Sequence, residues 1–229
     1  MKQLLIRNFK CRSITIAIYI LLLLLNPLYA FVFSKTELYF LFYAPIAITL
    51  MAVSILDSGH LFRLHRRLGG KSSYLFYESL PVSKKDMLNA NYITCIVLTL
   101  FGGFIIALYN FQSSNIDFGD LRYSTAIAFI FVNFLSIPIA FSRNTEKKRE
   151  GISYAPYILI MMLVIPFAIT IVFTLINAFV FHHHISYNIF GIYYNYGLLS
   201  LSIVWMILNY LIQLKRIIQR ENKGGPIWN

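Results

Sequence analysis

The sequence predicts an all-α fold: a polytopic membrane protein with six transmembrane helices and both termini on the cytoplasmic side. Of its 229 residues, 58% are apolar and 13% are charged, whereas soluble domains carry about 25% charged residues. Six long uncharged segments follow one another, and the basic residues concentrate in alternate connections between them. This composition argues against a disordered chain and against a soluble enzyme. We expect a single transmembrane domain over residues 1–229.

Six segments are long enough to cross a membrane, because about 20 mostly apolar residues span the ~30 Å hydrocarbon core as a helix. The first is expected to remain uncleaved, since its apolar run continues past the small residues that a signal peptidase would need. The fifth has 28 residues, so we expect it to tilt, protrude or break near Pro166. The predicted spans are 14–33, 38–56, 88–109, 123–141, 154–181 and 197–214.

The basic residues predict the orientation of these spans. Eighteen of the 20 Lys and Arg residues lie before span one, between spans two and three, between spans four and five, or after span six. Lys and Arg are retained on the cytoplasmic side of membrane proteins, so both termini are predicted to be cytoplasmic. The net charge of +11 is therefore an orientation signal, and we expect no nucleic-acid partner.

The predicted spans lack the ionisable residues that membrane chemistry usually needs. No Asp, Glu, Lys, Arg or His lies inside them, which argues against an ion-coupled carrier and an intramembrane protease. The stretch Gly69-Gly70-Lys71-Ser72 resembles the end of a P-loop, but His65 occupies the position of the first glycine. We therefore expect no nucleotide site, no catalytic residue and no enzymatic activity in this chain itself.

Other polar residues in or beside the spans leave two interpretations open. Asn26, Asn133, Asn177 and Asn209 either line a transport pathway or form hydrogen bonds between helices. His182, His183 and His184 are adjacent, and consecutive helical residues point about 100° apart. One metal ion could hardly use all three, so no metal site is predicted.

The loop 57–87 is the longest connection and is too short to be a domain. Ser72 or Ser73 can cap a short helix that Pro81 ends, and Ser83-Lys84-Lys85-Asp86 has the form of a capping box opening span three. The short helix is aromatic, which favours either docking to a partner protein or insertion in the membrane interface. Its residues are Tyr74, Leu75, Phe76, Tyr77, Glu78 and Ser79.

The phrase Leu80-Pro81-Val82-Ser83-Lys84 after span two resembles the membrane subunits of ABC-2 type ABC transporters, in which such a phrase follows the coupling helix. The six-span layout resembles this family along the whole chain, in its type V exporter-like form. The resemblance further suggests the small permeases of the staphylococcal phenol-soluble modulin exporter as near relatives. It places residues 182–196 outside the cell, as short helices that dip into the outer leaflet.

This resemblance implies a function and a set of partners. Residues 74–79 would dock on a cytoplasmic ATPase subunit that holds ATP and magnesium, with Glu78 facing a basic residue there and Lys84 and Lys85 facing acidic ones. Ser83 and Asp86 would cap the lever that transmits the motion into span three. A second permease copy or a related permease would complete a pathway in the bacterial plasma membrane, among its lipids, for exporting amphipathic peptide or lipid-like cargo.

The sequence leaves a second class of function open. A membrane immunity protein or structural partner that transports nothing would share the six spans and their orientation. It would not depend on an ATPase, and disruption of residues 74–78 would not affect it.

Overall fold

The computed structural model describes residues 1–33, 39–58, 81–109, 126–127, 129–137, 154–180 and 187–223. Every regular element in these ranges is helical, as the sequence predicts. The helices are α1 (Lys2–Cys11), α2 (Ser13–Phe33), α3 (Tyr39–Ser58), α4 (Lys84–Leu108), α5 (Tyr154–Leu159), α6 (Ile165–Phe179) and α7 (Tyr187–Lys223), with a π-helical turn at Ile160–Val164 and further helical residues at 126–127 and 129–137.

The N-terminal helix α1 turns sharply into α2. Leu4 and Asn8 are buried on one face of α1, while Lys2 and Lys10 are exposed. The two helices meet at an angle of 71°, and Arg12 stands at the corner, where its amide donates to the Phe9 carbonyl at 3.0 Å. The corner therefore brings a basic residue inward at one end of α2.

Helix α4 is the centre of the packing. One of its sides packs with α2, α3 and the helical residues around Phe129, and another packs with α7 and the residues around Phe134. Tyr109 at its end donates a hydrogen bond to the Leu22 carbonyl of α2. Displacing α4 would therefore disturb helices on both of its sides.

Two adjacent glycines let α4 approach its neighbours closely. A Cβ atom on Gly102 would lie 2.9 Å from Phe129 Cζ and 3.1 Å from the Tyr19 hydroxyl. A Cβ atom on Gly103 would lie 2.8 Å from Ile130 Cγ1. Small residues serve this purpose in membrane helix interfaces.

The predicted fifth span is irregular beside Pro166, where the sequence predicts a break. The amide of Ile165 bonds to the carbonyl of Ile160, a five-residue step that defines the π turn. Proline has no N–H to continue the α-helical pattern, and π turns are a recognised way to accommodate such an interruption. The helix continues beyond the turn as α6.

Helix α7 is longer than the sixth predicted span. It has 37 residues and a length of about 55 Å, which exceeds the hydrocarbon thickness. It begins at Tyr187, so residues 187–196 belong to this helix, where the family resemblance implies separate short helices that dip into the outer leaflet. The Tyr194 hydroxyl donates to the Ile169 carbonyl at 3.1 Å, which fixes this extension against α6.

Within the described ranges, two helices are long and apolar enough to cross a membrane, at Lys84–Leu108 and Tyr196–Gln219. The bent pair α1–α2 makes a third if it counts as one span. Many large apolar side chains on α2, α6 and α7 are exposed, as expected where lipid replaces water as the surrounding medium. The protein is thus a helical membrane protein, and six spans with cytoplasmic termini remain a prediction.

Candidate functional site

The predicted coupling segment lies mostly outside the described residues. Tyr74–Ser79 and the Gly69–Gly70 turn belong to this part, so their docking role remains a prediction. The structure describes both flanks of the loop, ending at Ser58 and resuming at Pro81. These flanks, together with α1, form the candidate site.

Ser83 is the N-cap residue of α4. Its backbone is extended, and its hydroxyl oxygen accepts a hydrogen bond from the Asp86 amide at 3.0 Å. The Met87 amide donates to the Ser83 carbonyl at 3.1 Å. Asp86 also places a negative charge in the first turn, where it interacts favourably with the helix dipole. The hydroxyl–amide bond of the predicted capping box is therefore present, while the lever role of Ser83 and Asp86 remains a prediction.

A buried ion pair joins the corner after α1 to the end of α3. Arg12 Nη1 lies 3.3 Å from Asp57 Oδ2, and the two side chains are only 1% and 4% exposed. Arg12 Nη2 also donates to the Cys95 thiol of α4, at 3.4 Å. One guanidinium thus connects the corner after α1 to two other helices, α3 and α4.

Burial makes this ion pair sensitive to the loss of either partner. Desolvation by itself lowers the pKa of Arg12, but the neighbouring Cys95 and Asp57 outweigh it, so the pKa lies above its ordinary value. Arg12 therefore stays protonated. Removing one member of a buried pair leaves an uncompensated charge and costs about 3–5 kcal/mol.

Asn8 adds a second buried connection between α1 and α4. Its side chain is fully buried, and Nδ2 donates to Asn91 Oδ1 at 3.0 Å, with Thr94 Oγ1 at 3.5 Å. Asn8 and Arg12 are four residues apart, so both project toward α4. We call this set the polar cluster; its members are Asn8, Arg12, Asp57, Asn91, Thr94 and Cys95.

Two further hydrogen bonds connect α4 to α7. Asn209 Nδ2 donates to the Tyr92 hydroxyl at 2.7 Å, and the Tyr210 hydroxyl donates to Asn89 Oδ1 at 2.7 Å. The rings of Tyr92 and Tyr210 also meet edge to face, with centroids 5.4 Å apart. The N-terminal half of α4 is therefore connected through polar contacts to α1 and α3 on one side and to α7 on the other.

The predicted pathway residues have different surroundings. Asn209 is engaged with Tyr92, and fully buried Asn133 donates to the Phe129 carbonyl of its own helix at 2.8 Å. Asn26 is half-buried in α2, and Asn177 belongs to α6. These contacts fit the helix–helix interpretation for Asn209, and a pathway role remains a prediction for all four.

The sequence analysis missed the polar cluster, although a signal was present. The basic residues before span one, which include Arg12, served only as an orientation signal, and Asp57 received no role. Since consecutive spans run antiparallel, the beginning of the first and the end of the second lie on the same side of the membrane. An acidic residue there, beside a basic one, is a candidate ion pair.

No group of three or more potential metal-ligating His, Cys, Asp or Glu residues occurs in the part of the chain that the structure describes. His182, His183 and His184 lie outside that part. Lys84 is half-buried and Lys85 is exposed on the first turn of α4.

Comparison with known families gives one match over nearly the whole chain. A family model described as "ABC-2 family transporter protein" matches residues 3–217. No curated protein and no solved structure matches significantly. With its helical spans and a match of this extent, the chain belongs to the ABC-2 transporter family and is a membrane permease of an ABC transporter.

Proposed function

We propose that this permease is one subunit of an ATP-driven exporter that moves amphipathic peptide or lipid-like cargo out of the cell. ATP and magnesium would bind to a separate cytoplasmic ATPase subunit, and this chain would perform no catalysis itself. The main support is the polar cluster, which holds both flanks of the predicted coupling loop against the N-terminal helix.

The cluster offers a route for motion from the loop to the membrane helices. Asp57 lies at the end of α3, and α4 begins at Lys84. One end of the loop is therefore attached to α3 and the other end to α4. Arg12 contacts both helices through Asp57 and Cys95. A force on the loop would therefore move α1, α3 and α4 together.

The hydrogen bonds on the other side of α4 extend this route to α7. Because Tyr92 and Asn89 bond to Asn209 and Tyr210, displacement of α4 changes the position of α7. Packed helices shift between discrete arrangements more readily than they deform continuously. Alternation between inward and outward openings would follow from such a shift.

Membership of the ABC-2 family supports the partners that we propose. Residues 74–79 would dock on the ATPase subunit, with Glu78 facing a basic residue and Lys84 and Lys85 facing acidic ones. A second permease copy, or a related permease, would complete the pathway in the bacterial plasma membrane, with both termini in the cytoplasm. Apolar spans with few amides suit amphipathic cargo of the phenol-soluble modulin kind.

The first test is recovery of the ATPase with the tagged permease. The chain is tagged at its C-terminus and purified from native membranes in mild detergent, and bound proteins are identified by mass spectrometry. We expect an ABC ATPase with the wild-type chain and its loss with Tyr77→Ala/Glu78→Arg. Glu221→Arg, which reverses an exposed charge on α7, is the matched control and should retain the ATPase.

A transport assay completes the test. Vesicles that contain the permease and its ATPase should accumulate an amphipathic peptide only with ATP, and an ATPase variant unable to hydrolyse ATP should abolish uptake. If no ATPase is recovered under several mild conditions and uptake does not depend on ATP, the exporter is excluded. The non-transporting immunity or structural-partner function would then replace it.

A further inference from the structure

A groove of about 370 Å³ lies between α4 and α7. Within the described ranges, these two helices are the unbent ones that are long and apolar enough to cross a membrane. Most of its wall is apolar, and the side chains that form this wall are Ile93, Ile96, Met206 and Ile207. An apolar groove of this size, open at the flank of two spanning helices, is suited to a hydrocarbon chain.

The groove has a polar end near the N-terminus of α4. Asn89, Tyr92 and Tyr210 line it there. Asn89 Oδ1 accepts from the Tyr210 hydroxyl, so the Asn89 amide nitrogen keeps its N–H groups for another acceptor. A ligand in this groove therefore meets hydrogen-bond donors at one end and hydrocarbon along the rest.

Lys85 extends the polar end with a positive charge. It precedes Asn89, Tyr92 and Ile96 by 4, 7 and 11 residues, a spacing that places all four on one face of a helix. Its side chain is exposed, and its Cα lies about 6 Å beyond that of Asn89 along the axis. The aliphatic stem of a lysine packs on apolar surface while its ammonium group reaches the polar interface.

The last turns of α7 add to this charge. Lys215 and Arg216 are exposed and follow Tyr210 by five and six residues. Since α7 runs antiparallel to α4, they extend beyond the same end of the groove as Lys85. Asp86 is the carboxylate on the same first turn of α4 as Lys85, and cations outnumber it on the described residues here.

We propose that this groove binds one anionic phospholipid of the cytoplasmic leaflet. An acyl chain would lie along Ile93, Ile96 and Ile207, and the phosphate would accept hydrogen bonds from Lys85 and the Asn89 amide. A hydrocarbon wall that ends in cations is complementary to such a lipid and to the negative surface of that leaflet. The choice of leaflet rests on the orientation in the proposed function, whereas lipid retention itself needs no ATPase.

Native mass spectrometry of the purified chain tests this site. The protein is reconstituted with equal amounts of phosphatidylglycerol and phosphatidylcholine, extracted in mild detergent, and scored for the lipid that remains bound. We expect at least tenfold more phosphatidylglycerol than phosphatidylcholine on the wild-type chain. Lys85→Gln should reduce this ratio to below threefold, and Lys10→Gln on the exposed face of α1 is the charge-matched control that should leave it unchanged.

A second variant separates the groove from a general attraction of lipids to the basic surface. Ile96→Trp fills the groove without changing any charge, and it should remove the retained phosphatidylglycerol. Equal retention of both lipids by the wild type, or a ratio that Lys85→Gln leaves unchanged, would overturn the site. Dissociation of a dimer by Ile96→Trp with phosphatidylglycerol still retained would assign the groove to a second copy of the chain and would equally overturn it.

Discussion

Arg12 and Asp57 are separated by 45 positions in the sequence, yet their side chains meet at 3.3 Å. The contact joins the corner between α1 and α2 to the end of α3, directly before the loop that is predicted to face the ATPase. Both residues precede or end an apolar helix, and both would be ordinary boundary charges if they were exposed. Their burial makes them a fixed attachment for the loop.

The ion pair should show strong coupling between its two members. Arg12→Met and Asp57→Asn should each lower the free energy of unfolding by about 3–5 kcal/mol, because each leaves a buried charge without its partner. The double variant should lose clearly less than the sum of the two. Unfolding followed in detergent measures this cycle, with Lys10→Met as an exposed control, and strictly additive losses would contradict the coupling.

The cap of α4 should be replaceable only by residues that accept a hydrogen bond. Ser83→Ala removes the acceptor of the Asp86 amide and should cost about 0.5–2 kcal/mol, whereas Ser83→Asp should retain most of the stability. Thermal unfolding measures the cap itself. If Ser83 also belongs to the lever, Ser83→Ala should reduce transport per ATP hydrolysed more than Ser83→Asp does; equal transport in both would remove that role.

A side chain at either residue of the glycine pair should destabilise the helix packing. Gly102→Ala places a methyl group 2.9 Å from Phe129 Cζ and should destabilise the protein by about 1–3 kcal/mol through overpacking. Gly197→Ala is the matched control, since no atom lies within 4 Å of its added Cβ. Melting temperatures of the two variants test the contact. Phe129→Leu should restore part of the loss in Gly102→Ala.

Asn209 distinguishes a helix–helix contact from a pathway contact. If its function is the bond to Tyr92, Asn209→Leu and Tyr92→Phe should have similar effects on stability, with a coupling of about 0.6–2 kcal/mol in the double variant. Transport should then change alike in both single variants. A change in cargo selectivity with Asn209→Leu alone would place this amide in the pathway.

The two cysteines provide a test of orientation. Cys11 is exposed and Cys95 is buried, so a maleimide should modify one thiol per folded chain. A membrane-impermeant maleimide should label Cys11 in inverted vesicles and leave it unlabelled in intact cells. Labelling of intact cells, absent in Cys11→Ser, would place the N-terminus outside and reverse the predicted orientation.

The sequence analysis predicted the helical membrane class because composition and apolar segment length determine it directly. Pro166 was also informative, because a proline in the interior of a helix has no N–H to continue the hydrogen-bond pattern. Pairings between distant helices were harder to predict. Nothing in the sequence around Asn8 indicates that Asn91 is its partner. The sequence around Arg12 is equally compatible with an exposed side chain.

The length of α7 shows a different limit. Residues 187–196 are polar enough to end an apolar segment, but polarity alone does not stop a helix when no proline intervenes. The contact between Tyr194 and Ile169, which holds this extension, joins two helices and is not visible from either one. Local sequence therefore indicated the apolar part of this segment better than it indicated where the helix begins.

The π turn before Pro166 also sets the phase of the helix that contains it. Tyr157, Met161, Ile165 and Ile169 all pack toward one core region, and they are spaced four residues apart. In a regular α-helix each four-residue step rotates by about 40°, so such a row would wind away from its neighbour. A wide turn in the middle of the row absorbs one step of this drift. The irregularity thus keeps a four-residue repeat facing one core region, and deleting one residue from 160–164 would convert the wide turn into a regular α-helical turn while the two halves of the row stay in phase.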